Sequence, residues 1–196
     1  KENLIITGSP KFDNYYNDSE IISIKKEFKI SSDKKIILFV APPNKDAEYP
    51  KYFLSNKEHA ELYRILFRTL KSMKEFILII KPHPSDLHTN LSKKILKAEN
   101  GNNIIIVDKN FQLKSLLNQS DLIISTGSTV NLEAMFFKKP IIILNLFNKV
   151  KLEPFVDNGM CIGLNDKNNL KETILNAFKN KEKLVNNYSK YFENYA

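Results

Sequence analysis

The chain has 196 residues, enough for one sizeable core with a short extension. Its 30 Lys and Arg against 22 Asp and Glu leave a formal charge of +8, which favours acidic partners such as nucleotides, phosphorylated sugars or an anionic membrane face. Those charges are not interleaved with an aromatic stacking platform, which argues against nucleic acid; the single Cys161 excludes an internal disulfide framework and any multi-cysteine metal site; and no apolar run reaches transmembrane length.

The opening KENLIITG is no signal peptide, so a reducing, cytoplasmic setting is expected. The chain begins on Lys1 and not on Met, as a piece of a longer protein would. Residues 1–30 read as the end of a preceding domain and a linker, with LIIT at 4–7 outside the regular series of apolar runs. From residue 31 to 181, apolar runs alternate with helical spacings. Strands are expected at 35–40 (KIILFV), 76–80 (FILII), 103–107 (NIIIV), 121–125, 140–146 and, as a short edge, 160–163 (MCIG). Helices are expected over 57–74, 88–99, 111–119, 129–138 and 168–180, the first from Leu62, Ile65, Leu66, Leu70 and Met73 at helical spacing. Runs of Ile, Leu and Val without polar alternation belong to strands covered on both faces. Strands alternating with helices of this length imply right-handed crossovers and a parallel sheet. The expected fold is therefore α/β, a doubly wound, Rossmann-like parallel sheet of about six strands. An amphipathic helix over 182–196 closes the chain, with Tyr188, Tyr191, Phe192 and Tyr195 on one face. Packing on a neighbouring helix or domain is the expectation for that face, and peripheral membrane contact is the alternative.

If the strand order reverses beside the first strand, three loops converge at the carboxyl edge of the sheet: APPNKD (41–46), KPHPSD (81–86) and STGSTV (125–130). In STGSTV, Ser128 suits an N-cap and the amides of Thr129 to Asn131 lack intrahelical acceptors, so this helix start can hold a phosphate. Gly127 permits a close backbone approach or positive φ, and Glu133 lies one turn after Thr129, placed to accept hydrogen bonds from vicinal hydroxyls. An ordinary cap followed by an acid favoured by the helix dipole is an equal reading of the same residues. In KPHPSD, Pro82 and Pro84 hold Lys81 and His83 extended, so a stiff imidazole beside a cation can donate to a phosphate or a leaving group. The bland alternative is a turn in which His83 satisfies a buried carbonyl. His59 and His88 lie in or beside charged helices and are expected to face solvent, and three scattered histidines make a poor metal site. Walker-type, GxGxxG and GxSxG patterns are missing, which removes support for P-loop hydrolysis, ordinary NAD binding and a hydrolase elbow.

These residues resemble a known superfamily. ITGSPKFD (6–13) is similar to the segment that ends the first domain of two-domain GT-B glycosyltransferases and of UDP-N-acetylglucosamine 2-epimerases. KPHPSD resembles the HP motif of GT-B sialyltransferases, capsule-polymer transferases and glycerophosphotransferases. DLIISTGSTVNLEAMFFKKPIII (121–143) resembles the nucleotide-binding segment of all these groups. The resemblance covers nearly the whole chain, as the carboxyl-terminal, donor-binding half of such an enzyme. It implies that His83 contacts the donor phosphate and assists the leaving nucleotide, that Ser125, Thr126, Ser128 and Thr129 cradle phosphate oxygens, and that Glu133 binds ribose or sugar hydroxyls. Pro42 and Pro43 stand where the loop after strand one approaches the donor. It further implies metal-independent chemistry without a cofactor, a nucleotide-sugar donor of CMP, CDP or UDP type, and a glycan or lipid-linked acceptor. The general base is expected in an amino-terminal domain missing from this chain, so the fragment alone should bind a donor and catalyse little.

The leading expectation is a glycosyltransferase domain acting in surface polysaccharide or glycoconjugate synthesis. The alternatives are an epimerase-like enzyme, a CDP-glycerol glycerophosphotransferase, and a non-catalytic Rossmann-like binding domain. Epimerases of this type carry an Asp-Ser-Gly-Gly turn followed by paired glutamates, whereas this chain has Ser-Thr-Gly-Ser and Glu133 alone, which counts against that alternative.

Overall fold

The computed structural model describes residues 21–43, 53–85, 89–149 and 155–195. The LIIT run, the ITGSPKFD segment, residues 44–46 of the first loop, Asp86 and His88 lie outside them, as do the side chains of Tyr191, Phe192 and Tyr195. Six strands form one parallel sheet: β1 Lys35–Val40, β2 Phe76–Lys81, β3 Ile104–Ile106, β4 Leu122–Ser125, β5 Ile141–Leu144 and β6 Ile162–Leu164. Their spatial order is β3-β2-β1-β4-β5-β6, with every neighbouring pair parallel. The reversal falls between β1 and β4, as a doubly wound sheet requires.

Helices α1 Ile24–Glu27, α2 Asn56–Lys71, α3 Thr89–Glu99, α4 Leu113–Gln119, α5 Val130–Phe136, α6 Leu170–Lys179 and α7 Lys181–Tyr195 cover both faces. Successive strand residues point to opposite sides, so each strand feeds two cores. Ile37, Phe39, Leu78, Ile80, Ile124 and Ile142 pack with α2, α3 and α6, while Ile36, Leu38, Ile79, Ile123 and Ile141 pack with α1, α4, α5 and α7. This explains the unbroken aliphatic runs, since neither face is available to water.

α2 begins with a reciprocal cap: the Ser55 hydroxyl accepts the Glu58 amide while the Glu58 carboxylate accepts the Ser55 amide. Its inner face carries Leu62, Tyr63, Leu66, Phe67 and Leu70, all buried. His59 lies on that same face and is 2% exposed, which corrects the expectation that it faces solvent. The physical reason is its spacing: His59 sits three residues before Leu62 and seven before Leu66, within the apolar stripe. α1 was not anticipated. It is tied to α4 by the Ile22 amide donating to Ser115 Oγ (2.9 Å) and the Ile24 amide to Gln119 Oε1 (3.0 Å), and Ile24 is fully buried in the second core. In α7 the Tyr188 hydroxyl donates to the Lys139 carbonyl (2.8 Å) and Tyr188 is 2% exposed, so this tyrosine packs on the domain.

One side chain stitches the central pair of strands. Asp121, just before β4, accepts the Ile36 amide on Oδ2 at 2.7 Å, and its own amide donates to the Ile36 carbonyl at 2.7 Å. Replacing Asp121 by Ala leaves the Ile36 amide without its acceptor, and urea denaturation should show a loss of about 1–3 kcal/mol, with Asp121→Asn losing less. Leu66→Ala, at a position with 0% exposure, should cost about 2–5 kcal/mol in the same assay.

Candidate functional site

The β1–β4 reversal brings the loops after β1, β2 and β4 to one edge, and two adjoining clefts open there. The first encloses about 200 Å³ between Ala41, Pro42 and Pro43 after β1, His83 after β2, Thr126 to Ser128 after β4, and Asn145 to Phe147 with Lys149 after β5. Phe53, Leu54 and Leu62 complete an apolar wall. The second, of about 430 Å³, lies between Lys81 to Pro84, the segment from Lys109 to Leu113, and Ser128, Thr129, Val130 and Glu133. His83 and Ser128 border both clefts and so mark the seam between them. The first cleft alone is smaller than most small-molecule sites, whereas the second falls within their usual range.

His83 is held by its own loop. Its Nδ1 accepts the Ser85 amide at 3.1 Å and lies 2.7 Å from the Ser85 hydroxyl. An amide N–H can only donate, so Nδ1 carries the lone pair and the neutral ring bears its proton on Nε2. Pro82 and Pro84 limit the backbone on either side. A ring fixed in this tautomer offers a donor from Nε2.

Lys81 is 6% exposed at the end of β2. Its ammonium donates to the Lys109 carbonyl and, at 3.5 Å, to that of Pro82. Burial pushes the Lys81 amine below the usual lysine value, and the nearby Asp108 carboxylate works against that shift. Lys81 thus braces the segment after β3 against the β2 loop while also lining the second cleft.

After β4 the chain turns through Gly127, whose φ of 77° is the positive value anticipated for it. The helix starts one residue later than a Ser128 cap would require: Thr129 occupies the cap position without a side-chain cap bond, while the Ser128 hydroxyl accepts the Val130 amide at 3.2 Å. The Asn131 amide donates to the Ser128 carbonyl. Among the described residues, the amides of Gly127, Ser128 and Thr129 keep no acceptor. α5 has only seven residues, about two turns, so the loop amides and hydroxyls matter more here than a helix dipole.

Ser125 differs from the expectation that it cradles a phosphate. It is fully buried, lines neither cleft, and donates its hydroxyl to Asn131 Oδ1 at 2.8 Å. Its place in β4, with Asn131 buried directly beneath the turn, makes the two an internal brace for Thr126 to Thr129. Glu133 is 1% exposed on α5 and lines the second cleft. Asn131 was missed in the sequence, where the only signal was a second polar residue, beside Glu133, on the inward face of the helix. The residues after β5 and the Phe53–Leu54 wall were also missed, because nothing local marks them as cleft-lining. Among the described residues, no cluster of three or more His, Cys, Asp or Glu is placed to hold a metal ion, and no helix is long and apolar enough to cross a membrane.

Solved structures share this fold, although no curated protein matches the chain. Among solved structures, the MnaA–UDP complex of S. aureus is similar at 16% identity and a TM-score of 0.61, covering 91% of this chain and 44% of that one. The wall teichoic acid polymerase TagF is similar at 15% identity and a TM-score of 0.60, covering 92% and 43% respectively. The carboxyl-terminal domain of the group 1 glycosyl transferase LpcC of Francisella tularensis, at 16% identity and a TM-score of 0.57, is covered over 91% of its length by 89% of this chain. At such identities the likenesses establish the fold, the carboxyl-terminal half of the GT-B architecture. The chain spans less than half the length of MnaA and TagF. The family profile of CDP-glycerol:poly(glycerophosphate) glycerophosphotransferases matches residues 1–146. Since that match takes in well over half of the sequence, the chain belongs to this glycerophosphotransferase family within the GT-B superfamily.

Proposed function

We propose that this chain is the donor-binding half of a transferase that moves a polyol phosphate from a CDP-activated donor to an acceptor hydroxyl. The observation that carries the reading is His83, locked as the Nε2–H tautomer and bordering both clefts together with Ser128. The donor's phosphates sit at that seam, where His83 Nε2–H, the amides of Gly127, Ser128 and Thr129, and the hydroxyls of Thr126, Ser128 and Thr129 converge. In the transfer, the acceptor oxygen forms a bond to the distal phosphorus and the bridging P–O bond breaks. The departing CMP takes up the negative charge that His83 and the turn stabilise. The acceptor proton passes to a base in another domain. Glu133, buried at the second cleft, accepts from the ribose hydroxyls, and Lys81 holds the loops of that cleft together. The acceptor is a growing surface polymer or lipid-linked glycan handled at the cytoplasmic side.

A second reading is supported by the likeness to the LpcC glycosyl transferase domain. There the donor is a nucleotide sugar, attack falls on the anomeric carbon and the nucleoside diphosphate leaves. The same seam would serve, because both reactions release charge onto a phosphate beside His83.

Thermal denaturation of the chain with CMP, CDP, CDP-glycerol, UDP and UDP-sugars tests both readings. A ligand of the folded state at a hundredfold its Kd should add about 2.7 kcal/mol of stability. Cytidine nucleotides should stabilise more than uridine ones; the reverse order would favour the second reading, and no effect from any of them would overturn both. Calorimetry of His83→Ala should show affinity for the preferred nucleotide weakened roughly ten- to hundredfold, the loss of a hydrogen bond to a charged group. Asn131→Ala, which unties Ser125 without touching ligand, should also weaken binding, about tenfold. Asn131→Asp should recover part of that loss, since an acceptor for the Ser125 hydroxyl is restored.

A further inference from the structure

The loops on the two sides of the first cleft are joined by a side-chain pair. Lys149, after β5, places its ammonium 2.6 Å from Glu58 Oε2 and 3.0 Å from the Phe53 carbonyl. Glu58 belongs to the first turn of α2, 91 residues away in sequence. The same carboxylate oxygen accepts the Ser55 amide (2.7 Å) and hydroxyl (2.8 Å). The pair is largely shielded, with side-chain exposures of 18% for Lys149 and 24% for Glu58. Partial burial pushes the Glu58 carboxyl upward, yet the hydrogen bonds from Lys149 and Ser55 outweigh it and hold the group below its ordinary value. Glu58 is therefore ionised at neutral pH. Lys149 and Phe147 also line an outer groove with Ser55, Glu58 and Arg64, so they form the partition between that groove and the first cleft.

We infer that Lys149 and Glu58 are a positioning pair for the proposed transfer: together they clamp the Phe53–Leu54 wall to the Asn145–Lys149 loop and so set the width of the cleft in which the transferred group lies. The role of that cleft rests on the proposed function; the clamp itself does not. Glu58 does not line that cleft; Lys149 does, with its ammonium engaged by Glu58 and the Phe53 carbonyl. The pair acts through Phe53, whose carbonyl Lys149 holds, and through Phe147, which forms the partition with Lys149. A charged pair suits this task because it is directional and short, and its shielding from water strengthens it relative to an exposed pair. Losing one partner leaves the other charge half-buried, so the walls part to let water reach it.

The test combines hydrogen exchange with donor binding on the whole chain. In Lys149→Met, amide exchange should speed up at residues 53–58 as well as at 145–149, while β1 and β4 keep their protection. Affinity for the best-bound cytidine diphosphate polyol should fall roughly tenfold, and affinity for CMP, which lacks the transferred group, should change less than twofold. Lys149→Arg should restore both readouts; Glu58→Gln should reproduce the Lys149→Met pattern in weaker form. Unchanged exchange at 53–58 would overturn the clamp. Faster exchange with equal losses for CMP and the full donor would overturn its role in holding the transferred group. Faster exchange at both walls in a protein that binds no nucleotide would uphold the clamp and reject the proposed function.

Discussion

Asp121 takes the Ile36 amide on its carboxylate and returns its own amide to the Ile36 carbonyl, and this closed exchange sets β4 alongside β1. From there the register runs Ile37 to Leu122, Leu38 to Ile123 and Phe39 to Ile124. Every feature of the site depends on that adjacency. With β4 beside β1, the crossovers on the two sides leave in opposite directions and the loop ends are left uncovered between them. Were β4 placed at an outer edge, His83 and Ser128 would not border a common cleft.

The second level of organisation is bracing by buried polar groups. Ser125 and Asn131 brace the turn after β4, Lys81 ties the segment after β3 to the β2 loop, and Lys149 with Glu58 joins the outer walls. Each satisfies backbone or side-chain groups that would otherwise be desolvated without partners. Ser125 and Asn131 stand behind the cleft surface, whereas Lys81 and Lys149 belong to it. The loops that border the clefts are thereby held in position by contacts that leave the Gly127, Ser128 and Thr129 amides without an acceptor among the described residues. His83 is held in the same way on a smaller scale, with the Ser85 amide donating to its Nδ1.

Sequence and structure agree most closely where the physics is local and repetitive. The aliphatic runs of β1, β2 and β4 marked strands covered on both faces, and the spacing of Leu62, Leu66 and Leu70 marked α2. His83 was legible because two prolines and a lysine surround it, and Gly127 because a turn between strand and helix needs positive φ. Disagreement arose where a residue's surroundings come from distant segments. His59 looked like a helix-surface residue among charges but belongs to the buried stripe. Ser125 looked like a phosphate ligand among other hydroxyls but ends a strand whose side chain points inward to Asn131.

Local sequence was enough for the class of fold, the alternation of strands and helices from β1 onward, and the two polar loops that border the clefts, because hydrophobic period and turn composition act over a few residues. Only the packing of distant segments settled which hydroxyls face the cleft, which of them brace it from behind, and that Lys149 meets Glu58 across 91 residues. Those outcomes depend on how strands pair and on which face each side chain occupies after the sheet has formed, and no short stretch of sequence encodes that geometry.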